Sequence, residues 1–146
     1  FERRFSLRLE SRAAEQVKRA VGAALPLAQP LTTEVLVTDL DGDGQTRRRV
    51  TSGDVAEAVA GSLERVVGWL RLAIDRVPVS HRVTIAEQGL VLVGGGAQLR
   101  DLDRFLAERL EVRVRLAPEP GTCVVRGSVL ALETMRVFHA HHLYLR

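Results

Sequence analysis

The chain has 146 residues, 46% of them hydrophobic, 27% charged and only 4% aromatic, with a formal net charge of +3. That balance suits one domain or two small lobes cored by Leu, Val and Ala, and it excludes a low-complexity or disordered chain. No apolar run approaches the roughly 18 residues of a membrane span, the lone Cys123 excludes an intrachain disulfide, and the arginines are scattered rather than striped, so no nucleic-acid partner is expected.

Residues 5 to 10, FSLRLE, alternate and predict a short strand. SRAAEQVKRAVGAAL follows with Ala14, Val17, Val21 and Ala24 at helical spacing, Ser11 as N-cap and Pro26 just past the end. Residues 32 to 39 and 45 to 51 read as two strands joined through DLDGDG, an Asp-Gly turn signal, and so as a β-hairpin. Ser52 is then placed as the N-cap of a long helix whose stripe is Val55, Val59, Leu63, Val66, Leu70 and Ile74, with Pro78 beyond it. SHRVTIAEQ predicts a short helix or turn, and GLVLVG a strand. AQLRDLDRFLAERL predicts a helix with Leu99, Leu102, Leu106 and Leu110 on one face. EVRVRLA is a strand, PEPG a loop, and the segment from Thr122 onward a helix. The last portion is therefore strand, glycine turn, helix, strand, loop, helix, an α/β pattern that predicts parallel strands covered by helices.

Gly94, Gly95 and Gly96 stand where a strand hands over to a helix. In an α/β unit ligands sit outside the carboxyl ends of the strands, and glycines there remove the Cβ atoms that would block one. A following helix adds unpaired N–H groups. No Gly-Lys-Ser/Thr follows, and no Gly-x-Gly-x-x-Gly is present, so neither a Walker loop nor the dinucleotide fingerprint applies. Alone, the glycines equally describe a tight turn between sheet and helix.

Several linked motifs narrow the reading. Gly94-Gly95-Gly96-Ala97, then Leu99-Arg100-Asp101-Leu102-Asp103, then Pro120-Gly121-Thr122-Cys123-Val124-Val125-Arg126-Gly127 stand in the order found in the C-terminal part of MreB-type bacterial actins, which this chain resembles. Upstream, Ala14-Glu15-Gln16-Val17-Lys18 is similar to the family's Ala-Glu-x-x-Lys helix, and residues 31 to 59 to its hairpin and return helix. Departures mark a divergent member: Glu10 where the family usually has Gly, Val93 for Thr, Gln98 and Asp101 for Leu and Gly, and Gly121 for an apolar residue.

The resemblance implies the C-terminal half of the actin-like, ribonuclease H-like α/β fold: a mixed or parallel sheet with flanking helices, plus a small outer subdomain with a β-hairpin. Residues 1–53 would form that outer subdomain and 54–146 part of the inner one. It implies an actin-like ATPase whose filaments lie beneath the inner membrane and organise cell shape and cell-wall synthesis. The expected partners are other filament subunits and, through the parent protein, cell-wall synthesis and membrane proteins; the location is cytoplasmic, membrane-associated through the filament. The adenosine part of ATP would lie between Glu15, Gln16, Val17 and Lys18 on one side and Gly94, Gly95, Gly96, Ala97 and Gln98 on the other. Glu15 would accept from ribose hydroxyls, and Lys18 would lie along the adenine or hydrogen-bond to its ring. The family's phosphate-binding hairpins, with their Mg²⁺, and its membrane-inserting element match nothing here, so no turnover by these residues alone is expected. Read without the resemblance, Glu15 and Lys18 are a solvated i,i+3 ion pair. The competing reading is an interaction module that has lost the nucleotide and docks on actin-like filaments.

Other features favour plain roles. Asp39, Asp41 and Asp43 imitate the start of a calcium loop, but Val50 stands where Glu is needed. His139, His141 and His142 lack an acidic or cysteine partner, so no metal site is expected. Arg47 to Arg49 read as a solvated hairpin face, Cys123 as a small buried residue, and Trp69 as core or subunit-contact packing.

Overall fold

A computed structural model describes residues 7–39 and 44–134. Strand β1 (Leu7–Arg8) leads into helix α1 (Ser11–Val21), then β2 (Thr32–Asp39), β3 (Gln45–Thr51) and the long helix α2 (Ser52–Arg76). Helix α3 (Val79–Gln88), β4 (Leu90–Leu92), a 3₁₀ turn (Gly95–Gln98), α4 (Leu102–Leu110), β5 (Val114–Leu116) and α5 (Cys123–Glu133) follow. Two sheets result: antiparallel β1-β2-β3, and parallel β4-β5.

The hairpin register runs from Thr32↔Thr51 to Thr38↔Gln45. Period-two alternation turns Val35, Val37 and Val50 inward and leaves Leu36 56% exposed. The inward valines meet Val17 and Val21 of α1 and Val55 of α2, forming the first core. Ala13, not Ala14, completes the buried stripe of α1.

The second core lies on β4-β5. Val67, Phe105 and Leu106 are buried there with Ala24, and Leu63, Leu70, Leu92, Leu99, Leu102, Leu110 and Val114 pack around them. Helix α2 spans both cores, through Val55 and Val59 at its start and Leu63, Val67 and Leu70 further on. The buried member of its middle turn is Val67 rather than Val66.

Four helix starts and ends differ from expectation. Thr51, not Ser52, caps α2: Asp54 N–H donates to Thr51 Oγ1 (3.1 Å) while Thr51 N–H donates to Asp54 Oδ2 (2.9 Å), a capping box. Ser52 is instead wholly buried and clamps the preceding loop, accepting from Leu31 N–H (3.1 Å) and donating its own N–H to Leu31 O (2.8 Å). Helix α1 ends at Val21, because the chain beyond it turns extended and bridges Ala23 to Arg100. Its N-cap is Glu10, which makes no side-chain capping bond, and Ser11 is its first helical residue. Helix α4 begins at Leu102, not at the glycines: Leu99 is extended and Asp101 is left-handed (φ 56°). The same stretch, Leu99–Arg100, is the one recruited to pair with Ala23–Ala24, so tertiary pairing overrides the helical periodicity read there.

Trp69 is 67% exposed and does not belong to the core. Cys123 is half-buried, its thiol 3.3 Å from the Pro120 carbonyl. The Asp41–Asp43 turn and the three C-terminal histidines lie outside the described residues.

Candidate functional site

Helical geometry sorts α1 into two faces. Val17 (4% exposed) and Val21 (2%) point into the first core. Glu15, Lys18 and Arg19 share the opposite, exposed face, where the Glu15 carboxylate receives Lys18 Nζ at 2.5 Å and Arg19 Nε at 3.0 Å. The hydrogen bond from Lys18, followed by that from Arg19, holds the Glu15 carboxyl below its ordinary value of 4.5. The carboxylate is therefore charged and oriented at neutral pH.

The glycine turn is bare. A Cβ built on Gly94, Gly95 or Gly96 meets no non-neighbouring atom within 4 Å. Gly94 has φ 86°, a conformation that other residues rarely adopt. Its N–H donates to Pro120 O at 2.6 Å, tying the end of β4 to the loop before α5. Ala97 and Val17 are both buried (4%). Gln98 extends its amide toward Gly121.

The C-terminus of α1 is fastened beside this turn. Ala24 N–H donates to Arg100 O (2.8 Å), Arg100 Nη1 donates to Gly22 O (3.1 Å), and Ala23 bridges Arg100 in parallel. Gly22 also lies against Leu99: a Cβ there would stand 3.0 Å from Leu99 Cδ1. The segment just after the helix carrying Glu15 and Lys18, Gly22–Ala24, is thus joined to Leu99–Arg100, just after the glycine turn. Among the described residues no hydrogen bond or ion pair runs directly from Glu15 or Lys18 to Gly94–Gln98. Arg100, which makes two of the links, was legible only as part of a motif; nothing in its local sequence marks it as a clamp.

A cavity of about 560 Å³ opens elsewhere, lined by Glu10, Arg12, Gln16, Glu34, Leu36 and Arg47 among others. Gln16 belongs to this cavity, and no residue of the glycine turn does. Among the described residues no group of three or more His, Cys, Asp or Glu is placed to hold a metal ion, and no helix is long and apolar enough to cross a membrane.

The MreB/Mbl protein family profile matches residues 1–140. The chain belongs to the MreB/Mbl family. It is 36% identical over 120 residues to the cell shape-determining protein MreB of Escherichia coli K12, which covers 82% of this chain and 35% of the relative. It is 31% identical over 134 residues to the cell shape-determining protein Mbl of Bacillus subtilis 168, covering 92% and 40%. This MreB/Mbl chain therefore spans between a third and two fifths of the length of these curated relatives. Among solved structures, MreB 5 of Spiroplasma citri bound to AMPPNP superposes with a TM-score of 0.88 at 15% identity, over 97% of this chain and 43% of that one. A non-polymerising mutant of MamK bound to AMPPNP superposes at 0.65, with 18% identity over 83% and 37%. The architecture is a partial actin-like fold, mixed α/β with small sheets, as the sequence motifs imply.

Proposed function

We propose that this chain is the adenosine-holding part of a cell-shape-determining, actin-like cytoskeletal protein of the MreB/Mbl family. The observation that supports this reading is the fastening of the segment just after α1, the helix of the charged Glu15–Lys18 pair, to Arg100, just after the side-chain-free glycine turn. Solved relatives of the same fold hold ADP or AMPPNP. In this reading Glu15 accepts from ribose hydroxyls, Lys18 lies along the adenine, and Gly95 and Gly96 admit the base and the first phosphate. Gln16, Val17, Ala97 and Gln98 serve through their backbone or as supports. Residues 1–53 form the outer subdomain and 54–146 the inner. The phosphate hairpins and Mg²⁺ that complete the family's ATPase belong to the part of the fold this chain does not match.

The same reading makes the chain a participant in filaments of like subunits, cytoplasmic and membrane-associated through the filament, that guide cell-wall synthesis. Its cell-wall and membrane partners are reached through the complete protein. Calorimetric titration with ATP tests the nucleotide role. The wild-type chain binds, and Gly95→Val does not. Equal binding by both overturns it, and absence of binding by either favours the alternative of a docking module without nucleotide.

A further inference from the structure

Strand β1 accompanies β2 for two residues only. Leu7 pairs with Asp39 and Arg8 with Thr38, and the chain then turns into α1 at Ser11. On its other side β2 pairs with β3 from Thr32 to Thr38. Among the described residues, therefore, no strand flanks Thr32–Val37 on the β1 side. The cavity of about 560 Å³ lies along this edge. Val35 turns into the first core and Leu36 is 56% exposed on the outer face, yet both line the cavity, together with Glu34. So do Arg12 and Gln16 of α1, the helix that packs on the inner face, and Arg47, which stands opposite Leu36 on β3. Successive strand residues point to opposite faces. A cavity that collects residues of both faces and of the helix thus wraps round the edge of the strand, in the place a continuation of β1 would take.

Open edges are ordinarily paired, covered or guarded by charge. Here the charges are balanced and idle. Among the described residues the side chains of Glu10, Arg12, Glu34 and Arg47 make no hydrogen bond or ion pair. Two carboxylates and two guanidiniums that share a cavity without neutralising one another stay available to an incoming chain. An extended peptide answers both features: its main chain supplies N–H and C=O groups for the bare edge, and its side chains supply both signs of charge for the rim. We propose that this slot takes an extended peptide segment of another protein, added antiparallel to β2 as β1 is, with an apolar side chain beside Leu36 and, two residues later, a basic one beside Glu34. A second copy of this chain and a free amino acid are the competing occupants. The inference does not rest on the nucleotide reading, because neither Glu15, Lys18 nor the glycine turn lines the slot.

The test titrates the 146-residue chain with the blocked hexapeptide acetyl-Thr-Leu-Thr-Lys-Val-Thr-amide, which carries that spacing, and follows calorimetry and amide hydrogen exchange. The peptide is expected to bind and to slow exchange within Thr32–Val37 roughly tenfold or more at saturation. Replacing its lysine by glutamate is expected to weaken binding about fivefold. Glu34→Lys, a change at an exposed position, is expected to reverse that preference, and Glu34→Gln to remove it. Methylating the main-chain nitrogens of the peptide is expected to abolish binding. Absence of binding, binding indifferent to that methylation, or a charge preference unchanged in both Glu34 variants overturns the proposal. So does protection of β2 that grows with the concentration of the chain alone, which would assign the slot to a second copy. Displacement of the peptide by an equal concentration of free lysine would assign it to an amino acid, and would also overturn it.

Discussion

Ala24 donates its backbone N–H to the carbonyl of Arg100 at 2.8 Å, across a sequence separation of 76 residues, and the Arg100 guanidinium returns a hydrogen bond to Gly22 O at 3.1 Å. These two bonds fasten the nucleotide-contact helix expected from the family to the loop that follows the triple glycine. They fix the chain just after α1 against the residue that follows the glycine turn and Leu99.

Removing the side-chain half of that clamp has a defined cost. Arg100→Ala keeps the Ala24–Arg100 backbone bond and deletes one charge-assisted bond at a partly buried site. It is expected to lower stability by about 1 kcal/mol, read as a shift of the urea midpoint without a change of slope. A midpoint identical to wild type would show that the clamp does not hold the two elements together.

Two glycines give opposite expectations. Gly89 has φ 79°, and a Cβ there would collide with the Arg113 carbonyl at the point where Leu90 N–H donates to it (2.8 Å). Gly89→Ala is therefore expected to destabilise by about 2 kcal/mol or more. Gly95→Ala meets open space and an ordinary backbone angle, so its stability stays within about 0.5 kcal/mol of wild type. Thermal denaturation of the pair checks both at once, and a large loss at Gly95 would mean that the turn is bare for packing reasons and not for a ligand.

Much of this was readable in advance, and the exceptions share a cause. The hairpin boundaries, the parallel β4-β5 pair and the Leu102, Leu106 and Leu110 face of α4 followed from alternation and helical spacing, because each is decided by nearby residues. The early end of α1 and the late start of α4 were not readable. Both helices yield the same backbone, Ala23–Ala24 and Leu99–Arg100, to a pairing between distant segments. Of the two roles read for Trp69, core packing is excluded: it borders the apolar stripe of α2, yet it is 67% exposed among the described residues. At the site, residue types were legible, but which of them share a face was settled only by the helix itself, which sends Val17 inward and gives Gln16 to a separate cavity.

The pH dependence of Glu15 has a fixed sign. Its pairing with Lys18 and Arg19 lowers its folded value below 4.5, so it contributes stability above that value and loses it as pH falls through the lowered one. The difference in melting temperature between wild type and Glu15→Gln is expected to be constant from about pH 6 to 8 and to shrink in acid. A difference that grew on acidification would contradict the ion-pair geometry.

Phosphoryl transfer depends on positioning and on charge stabilisation around the phosphates, and the hairpins that supply these in the family match no part of this chain. ATP hydrolysis by the 146 residues is expected to stay at background in a phosphate-release assay. Turnover that vanished on Glu15→Ala would place catalytic machinery inside the chain.

The central claim is that this half of the fold holds the nucleoside rather than the phosphates. Competition calorimetry on the wild-type chain tests it most directly: adenosine is expected to displace ATP, tripolyphosphate to leave it bound, and Glu15→Ala to weaken both nucleoside and nucleotide together. Displacement by tripolyphosphate with indifference to adenosine would contradict the account.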